Sequence, residues 1–244
     1  MSSGFADLQK QYWKEVDAIH YEWQTKGPYI SGCELELLGA LELGTGDRLL
    51  EIGCGEGANL FHLRSRHRDG QLYGVDFSQA KVRFATAATG ARTASADAAR
   101  LPFRSGSFDI VLIRDLLHHV HDRGAVIAEA VRVLKPGGRI RVIEPNGSNA
   151  IVAAMALAIR AERAMLRSSL EAIRTDMQRA GVTAIVARRA QPLPLSRVIL
   201  HYRYGAPSLG ARPVVAAMLR HLEKWAGAVL PGRIWAYFVL DGSV

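Results

Sequence analysis

The chain holds two cysteines in 244 residues, Cys33 and Cys54, too few for a disulfide framework. Aromatic residues make up only 7% of it, and they do not interleave with basic ones. The stacking platforms that grip single-stranded nucleic acid are therefore missing. Long apolar runs are missing too. The longest, Ala150–Ile159, is ten residues, about half of what a bilayer-crossing helix needs. Residues 1–10 lack an apolar stretch and include Asp7, so no signal peptide is expected and the expected location is cytoplasmic. There is no internal repeat, low-complexity tract or obvious linker. Acids are in deficit, 23 against 31 Lys and Arg, which gives a formal net charge of +8. A basic balance can signal nucleic acid, a membrane surface or an acidic substrate. Here the basic residues are scattered: Arg64, Arg66 and Arg68 alternate with other residues, and Arg160, Arg163 and Arg167 follow helical spacing. Nucleic acid is not the expected partner. A hydrophobic fraction of 49% over this length suits one globular α/β domain.

The most informative stretch is Leu49–Leu60. Leu49, Leu50 and Ile52 read as a buried strand; Gly53, Gly55 and Gly57 then let the backbone turn and approach a ligand closely. The N–H groups opening the next helix face whatever binds there. The order is G-x-G-x-G rather than the dinucleotide G-x-G-x-x-G. Glu51 precedes the turn and Glu56 lies inside it. Two carboxylates would repel a pyrophosphate and favour a cationic ligand. S-adenosylmethionine fits, and a nicotinamide dehydrogenase does not. By itself the loop is equally well read as a tight strand–turn–helix.

Further elements follow in order. Gln71–Ser78 is a second strand ending in Asp76 and Phe77. Asp76 lies 25 residues after Glu51, near the spacing at which an acid reaches ribose hydroxyls. It also suits a helix N-cap. Asp97 and Ala98 sit in Ser95–Phe103. Phe108–Ile113 is a third apolar run, and Leu134–Pro145 is a helix end, a Pro-Gly-Gly turn and a strand. Strands near 47–53, 71–76, 91–96, 108–113 and 139–144 alternate with helices, which implies a parallel sheet. Its ligands bind beyond the carboxyl ends of the strands.

Six elements, LEIGCGEG, GVDFS, ADAARLPF, SFDIV, LLHHV and LKPGG, span residues 49 to about 145. Together they resemble the class I S-adenosylmethionine-dependent methyltransferases, in particular the small-molecule group with the ubiquinone/menaquinone C-methyltransferases. The resemblance implies a Rossmann-like, doubly wound seven-stranded sheet, mostly parallel with an antiparallel last strand. Residues 182–187 and 234–240 would form the final antiparallel pair. It implies a cap over residues 1–43, a cofactor-binding core over 44–145 and a C-terminal half over 146–244. An insertion at about 191–230 would roof the substrate site. The implied cofactor contacts are Glu51, Gly53, Cys54, Gly55, Gly57, Asp76, Phe77, Asp97, Ala98 and Arg114, and the product is S-adenosylhomocysteine.

Methyl transfer from a sulfonium is an in-line displacement, in which positioning can lower the barrier by ~7–11 kcal/mol. A base matters only where the acceptor loses a proton. His118, His119 and Glu144 are the candidates, each with a plain structural alternative in packing or capping. His118, His119 and His121 raise the thought of a metal, but no matching Asp, Glu or Cys cluster is evident in the sequence and no metal is expected. His20, Tyr21, Tyr202 and Tyr204 are further residues able to reach a substrate from the caps.

The expected reaction is methylation at oxygen or carbon of a small or medium, largely apolar metabolite, such as one of secondary metabolism. The alternatives are an RNA methyltransferase, suggested by charge alone, and a methyltransferase-like binding protein without activity. Partner expectations stop at the small-molecule acceptor, with a peripheral lipid contact and a homodimer as alternatives to a free monomer. An amphipathic helical region is expected over 5–24, with Tyr12, Trp13, Tyr21 and Trp23 as a packing face or lid. Another is expected over 32–43. Both caps, Trp225 included, are expected to converge over the strand ends.

Overall fold

A computed structural model describes residues 3–244. Seven strands form one sheet: β1 (Arg48–Ile52), β2 (Gln71–Asp76), β3 (Arg92–Ser95), β4 (Phe108–Arg114), β5 (Leu134–Pro145), β6 (Thr183–Ala190) and β7 (Tyr237–Ser243). Their order is β3-β2-β1-β4-β5-β7-β6. The first five run parallel, and β7 is antiparallel to both β5 and β6. The doubly wound, mostly parallel sheet expected from the sequence is the one observed. The strand order reverses between β1 and β4, and that is where such sheets open a ligand crevice.

The central strands are near-continuous apolar runs because helices cover both faces. On one face Leu50, Ile52, Val111, Ile113 and Val142 pack on α6 (Arg123–Val133) and α8 (Leu170–Arg179). On the other, Leu49, Ile110, Leu112 and Ile143 meet α3 (Pro28–Leu38), α4 (Ala58–Arg66) and α5 (Gln79–Thr89). Leu37 and Leu38 of α3 are fully buried there, each worth roughly 1.5–3 kcal/mol of burial.

The N-terminal region is two helices, α1 (Ser3–Trp13) and α2 (Ala18–Lys26), because Asp17 caps the second by accepting from His20 N at 2.9 Å. Pro28 does not merely break the chain; it opens α3 at a position where its missing N–H costs nothing. Residues 150–179 form α7 (Ala150–Ala158), a 3-10 turn (Arg160–Arg167) and α8, with the last break at Ser168–Ser169. Beyond β6 lie the short α9 (Ser196–Ile199) and α10 (Pro213–Val229). A third apolar cluster of Trp23, Tyr29, Ile30, Leu200, Ala216 and Leu219 ties the N-terminal helices to this C-terminal excursion. Among the described residues no helix is long and apolar enough to cross a membrane.

Candidate active site

A cavity of about 1100 Å³ opens above the carboxyl ends of β1, β2, β3 and β4. Its floor includes Gly53, Cys54, Gly55, Asp76, Phe77, Asp97, Ala98 and Arg114. Eight of the ten expected cofactor residues are thus brought together. Glu51 and Gly57 stand behind the floor.

The three loop glycines all have positive φ, between 51° and 86°, but serve different ends. A Cβ on Gly55 would meet nothing within 4 Å, so the cavity runs up to bare backbone. A Cβ on Gly53 would press on Leu116 at 3.0 Å, and one on Gly57 on Ala85 at 3.0 Å. Gly53 and Gly57 therefore serve packing, although Gly53 also lines the cavity, and Gly55 is where a side chain would enter open space. Val75 O accepts from both Gly53 N and Cys54 N, at 2.8 and 2.9 Å, which pins the loop to β2.

Asp76 ends β2 with one carboxylate oxygen on Gly55 N (3.1 Å) and the other on Ser78 N (2.9 Å). Burial raises its pKa, against the pull of those N–H donors and Lys81. Asp97 accepts from Ala99 N at 2.9 Å. Glu51 is fully buried; one oxygen accepts from Asn59 Nδ2 at 2.6 Å and the other has no partner among the described residues. Burial lifts its pKa to about 8, only partly offset by Asn59 and Arg114. Glu56 is not a free negative charge in the loop, as its position suggested. Lys81 Nζ neutralises it at 3.2 Å, and it accepts from Asp17 N at 2.9 Å.

Arg114 is committed to protein partners. It donates to Glu34 of α3 and to Asn59 Oδ1 (2.7 Å), and lies 3.4 Å from Asp115. Burial pushes the Glu34 pKa up, but Arg114 and Arg197 hold it below its ordinary value. Asp115 has a φ of 50° and a buried Oδ1 without a partner among the described residues. Such backbone tends to persist at functional sites.

Beyond Asp115 the chain turns onto Glu144 of β5. Leu116 N and Leu117 N both donate to Glu144 Oε1 at 2.8 Å, and His118 Nδ1 lies 2.6 Å from Oε2. Glu144 is fully buried and does not line the cavity; it is a positioning residue for the 116–118 turn. His118 and His119 do line it. Burial works against charge on His118, yet Glu144, with Glu162 beyond it, raises its pKa to about 10. Burial and the neighbouring His118 push His119 well below the ordinary value.

The walls come from regions that carried no motif. α1 supplies Tyr12 and Trp13, and α2 and its cap supply Asp17 and His20. The C-terminal excursion adds Arg197, His201, Tyr202 and Arg203. Asp17 joins these pieces, accepting from Tyr202 Oη at 2.8 Å and Arg203 at 2.6 Å as well as capping α2. Trp13 packs on His119 (5.2 Å between centroids) and beneath Lys81. The expected convergence of both caps is therefore seen for α1, α2 and 197–203. It is not seen for Trp225, which stands 60% exposed on α10, nor do Tyr21 and Tyr204 line the cavity. Glu162, Asp115, Lys81 and Arg197 were missed by sequence reasoning. Only Asp115, next to a strand end, gave a signal that could have found it.

Residues 50–142 match the family model described as a methyltransferase domain. The chain is 37% identical over 147 residues to the 27-O-demethylrifamycin SV methyltransferase of Amycolatopsis mediterranei, covering 56% of this chain and 53% of that protein. It is 37% identical over 109 residues to the demethylmenaquinone methyltransferase of Lactococcus lactis, covering 42% and 43%. It spans about half or less of the length of the curated relatives it matches. Among solved structures, a Haemonchus contortus phosphoethanolamine N-methyltransferase 2, in complex with phosphomonomethylethanolamine and S-adenosylhomocysteine, shares the fold. Its TM-score is 0.70 at 21% identity, covering all of this chain and 60% of that one. A Thermotoga maritima methyltransferase matches with TM-score 0.64 at 18% identity over 98% and 97% of the chains.

Proposed function

From a chain that carries a methyltransferase domain over residues 50–142, we infer transfer of a methyl group from S-adenosylmethionine to oxygen or carbon of a small, largely apolar metabolite. The observation that carries this reading is the junction of Gly55 and Asp76. Bare backbone opens onto the cavity beside the half-buried Asp76 carboxylate, where a side chain would otherwise stand. The residues fit the cofactor's chemistry. Asp76 suits ribose hydroxyls, Asp97 and the Ala98 N–H suit the adenine, and Asp115, with its unpartnered oxygen, suits the cationic end. Glu51 backs the same end from behind the loop.

Bound there, S-adenosylmethionine supplies an electrophilic methyl group and departs as S-adenosylhomocysteine. The chain's own residues orient the acceptor and exclude water. Trp13, Leu116, Val120, Met155, Ile159 and Met165 make the far half of the cavity apolar, which supports an apolar acceptor. His118, set in place by Glu144, and its neighbour His119 form an imidazole pair on that wall and would handle a proton if the acceptor must lose one. The curated relatives whose names specify rifamycin and menaquinone substrates support a place in specialised or quinone metabolism. A cytoplasmic location is consistent with such a substrate.

Calorimetric titration of S-adenosylmethionine tests the reading. Asp76→Ala should weaken binding at least tenfold, since losing a hydrogen bond to a charged group costs about 1.5–3 kcal/mol. Unchanged affinity in a variant that melts like the parent would overturn the assignment.

A further inference from the structure

Glu162 enters the site from the 3-10 turn Arg160–Arg167 and faces both histidines of the 116–121 segment. Its Oε2 lies 3.5 Å from His118 Nε2 and 3.9 Å from His119 Nε2. One donor atom from each of the three residues falls within 4.8 Å of the others. His118 Nε2 and Glu162 Oε2 are buried and have no hydrogen-bond partner among the described residues, and both residues are more than nine-tenths buried. Buried polar atoms without a hydrogen bond are costly, and here two of them face each other 3.5 Å apart at one spot on the cavity wall.

We propose that His118, His119 and Glu162 bind a first-row divalent transition metal, with zinc the best match to the donor set. Three features support this. Two imidazoles and one carboxylate form a three-ligand set of the kind that leaves further positions open to a small molecule. His118 Nδ1 is already taken by Glu144 at 2.6 Å, so the ring presents Nε2 forward, as metal-ligating histidines do when a second carboxylate fixes the other nitrogen. Glu144 is in turn held by Leu116 N and Leu117 N, which makes the mount rigid. Two donors on ~2.1 Å bonds stand about 3.4 Å apart in a tetrahedral shell, so the 3.5 Å pair fits as it stands and the 3.9 Å pair has only a few tenths of an ångström to close. Magnesium fits poorly, because it prefers oxygen donors.

The open positions face the cavity that Met155, Ile159 and Trp13 share. The metal would there hold an acceptor with one or two oxygen donors, such as an enol, a phenol or a vicinal diol. That role rests on the methyltransferase reading; the metal site itself does not.

The test is titration of zinc chloride, and separately cobalt chloride, into full-length protein stripped with a chelator, read by calorimetry and by the visible absorption of cobalt. Binding of one equivalent is expected. Glu162→Gln and His119→Ala should weaken it at least tenfold, and Glu144→Gln by roughly 10–100-fold, as for other residues that orient a ligand. His221→Ala, on the exposed face of α10, should leave it unchanged. Each variant's melting curve and S-adenosylmethionine affinity report whether it folds. Absence of stoichiometric binding in the parent, or equal binding in a folded Glu162→Gln, overturns the proposal and leaves the cluster as a packed imidazole pair beside two carboxylates. Zinc binding without S-adenosylmethionine binding would retain the metal site and remove the methyltransferase reading.

Discussion

Glu51→Gln should make the cofactor-free protein more stable at neutral pH, and the gain should vanish in acid. Glu51 sits 1% exposed with one oxygen bonded to Asn59 and the other unpartnered among the described residues. Burial raises its pKa from 4.5 to about 8. An acid raised in the folded state contributes fully below its unfolded value and progressively less as pH climbs towards the folded one. Between 4.5 and 7 the unfolded chain has released the proton while the folded chain keeps it. The slope is then about 1.4 kcal/mol per pH unit, or roughly 3 kcal/mol by pH 7. Glutamine has no proton to release and offers Asn59 the same acceptor oxygen. At low pH both side chains are neutral and place a donor where the orphan oxygen lies. Urea melts of both proteins at several pH values would give the difference directly. Expected is near-equality at about pH 4, a widening gap through neutrality, and a plateau above about pH 8. A gap that does not change with pH, or a glutamine variant less stable at pH 7, refutes the claim that Glu51 is buried in its protonated form.

Gly55→Ala and Gly57→Ala should separate binding from folding. The first puts a methyl group into open cavity and should cut S-adenosylmethionine affinity for about 1–2 kcal/mol of backbone strain. The second drives a Cβ onto Ala85 and should chiefly lower the melting temperature; the reverse pattern in paired melts and titrations would contradict the division. Arg114→Ala removes the main partner of the buried Glu34 carboxylate, leaving only Arg197 at 3.7 Å among the described residues, and should cost up to about 3–5 kcal/mol. A Glu34→Gln/Arg114→Leu double variant should regain much of that in denaturant melts, and failure to do so would mean the pair is not the source of the loss.

The alternating core was legible because its strands are apolar runs ended by turn residues, and hydrophobic periodicity acts locally. Gly53, Gly55 and Gly57 fell where a turn at positive φ requires them. The partners of the site were not legible. Arg114 reads as a cofactor contact at a strand end, yet it is claimed by Glu34, and Glu56 is neutralised by Lys81. Such pairs form between residues far apart in the chain and leave no spacing to read. Glu162 lies in a stretch whose apolar and arginine spacing signals only a helix. The break at Asp17 was hidden for a different reason: aromatic residues kept helical spacing across it, and the capping bond to His20 outweighed that continuity.

The chain between Gln191 and Ala236 leaves the sheet and rejoins it at one doorway. Ala190 pairs with Tyr237, and Ala236 N donates to Gln191 O at 2.9 Å. Whatever lies between is a closed cassette on a finished frame. Its length can change cheaply, since doubling a loop costs only about 0.6 kcal/mol in closure entropy. It nonetheless delivers Arg197, His201, Tyr202 and Arg203 to the cavity wall. Transplanting a cassette of different length into this doorway is thus a way to rebuild that wall without disturbing the glycine loop and strand ends opposite. A graft must keep the fixtures that latch the cassette to the N-terminal helices, the Leu200 carbonyl that accepts from Trp23 Nε1 at 2.6 Å and the Tyr202 and Arg203 donors to Asp17.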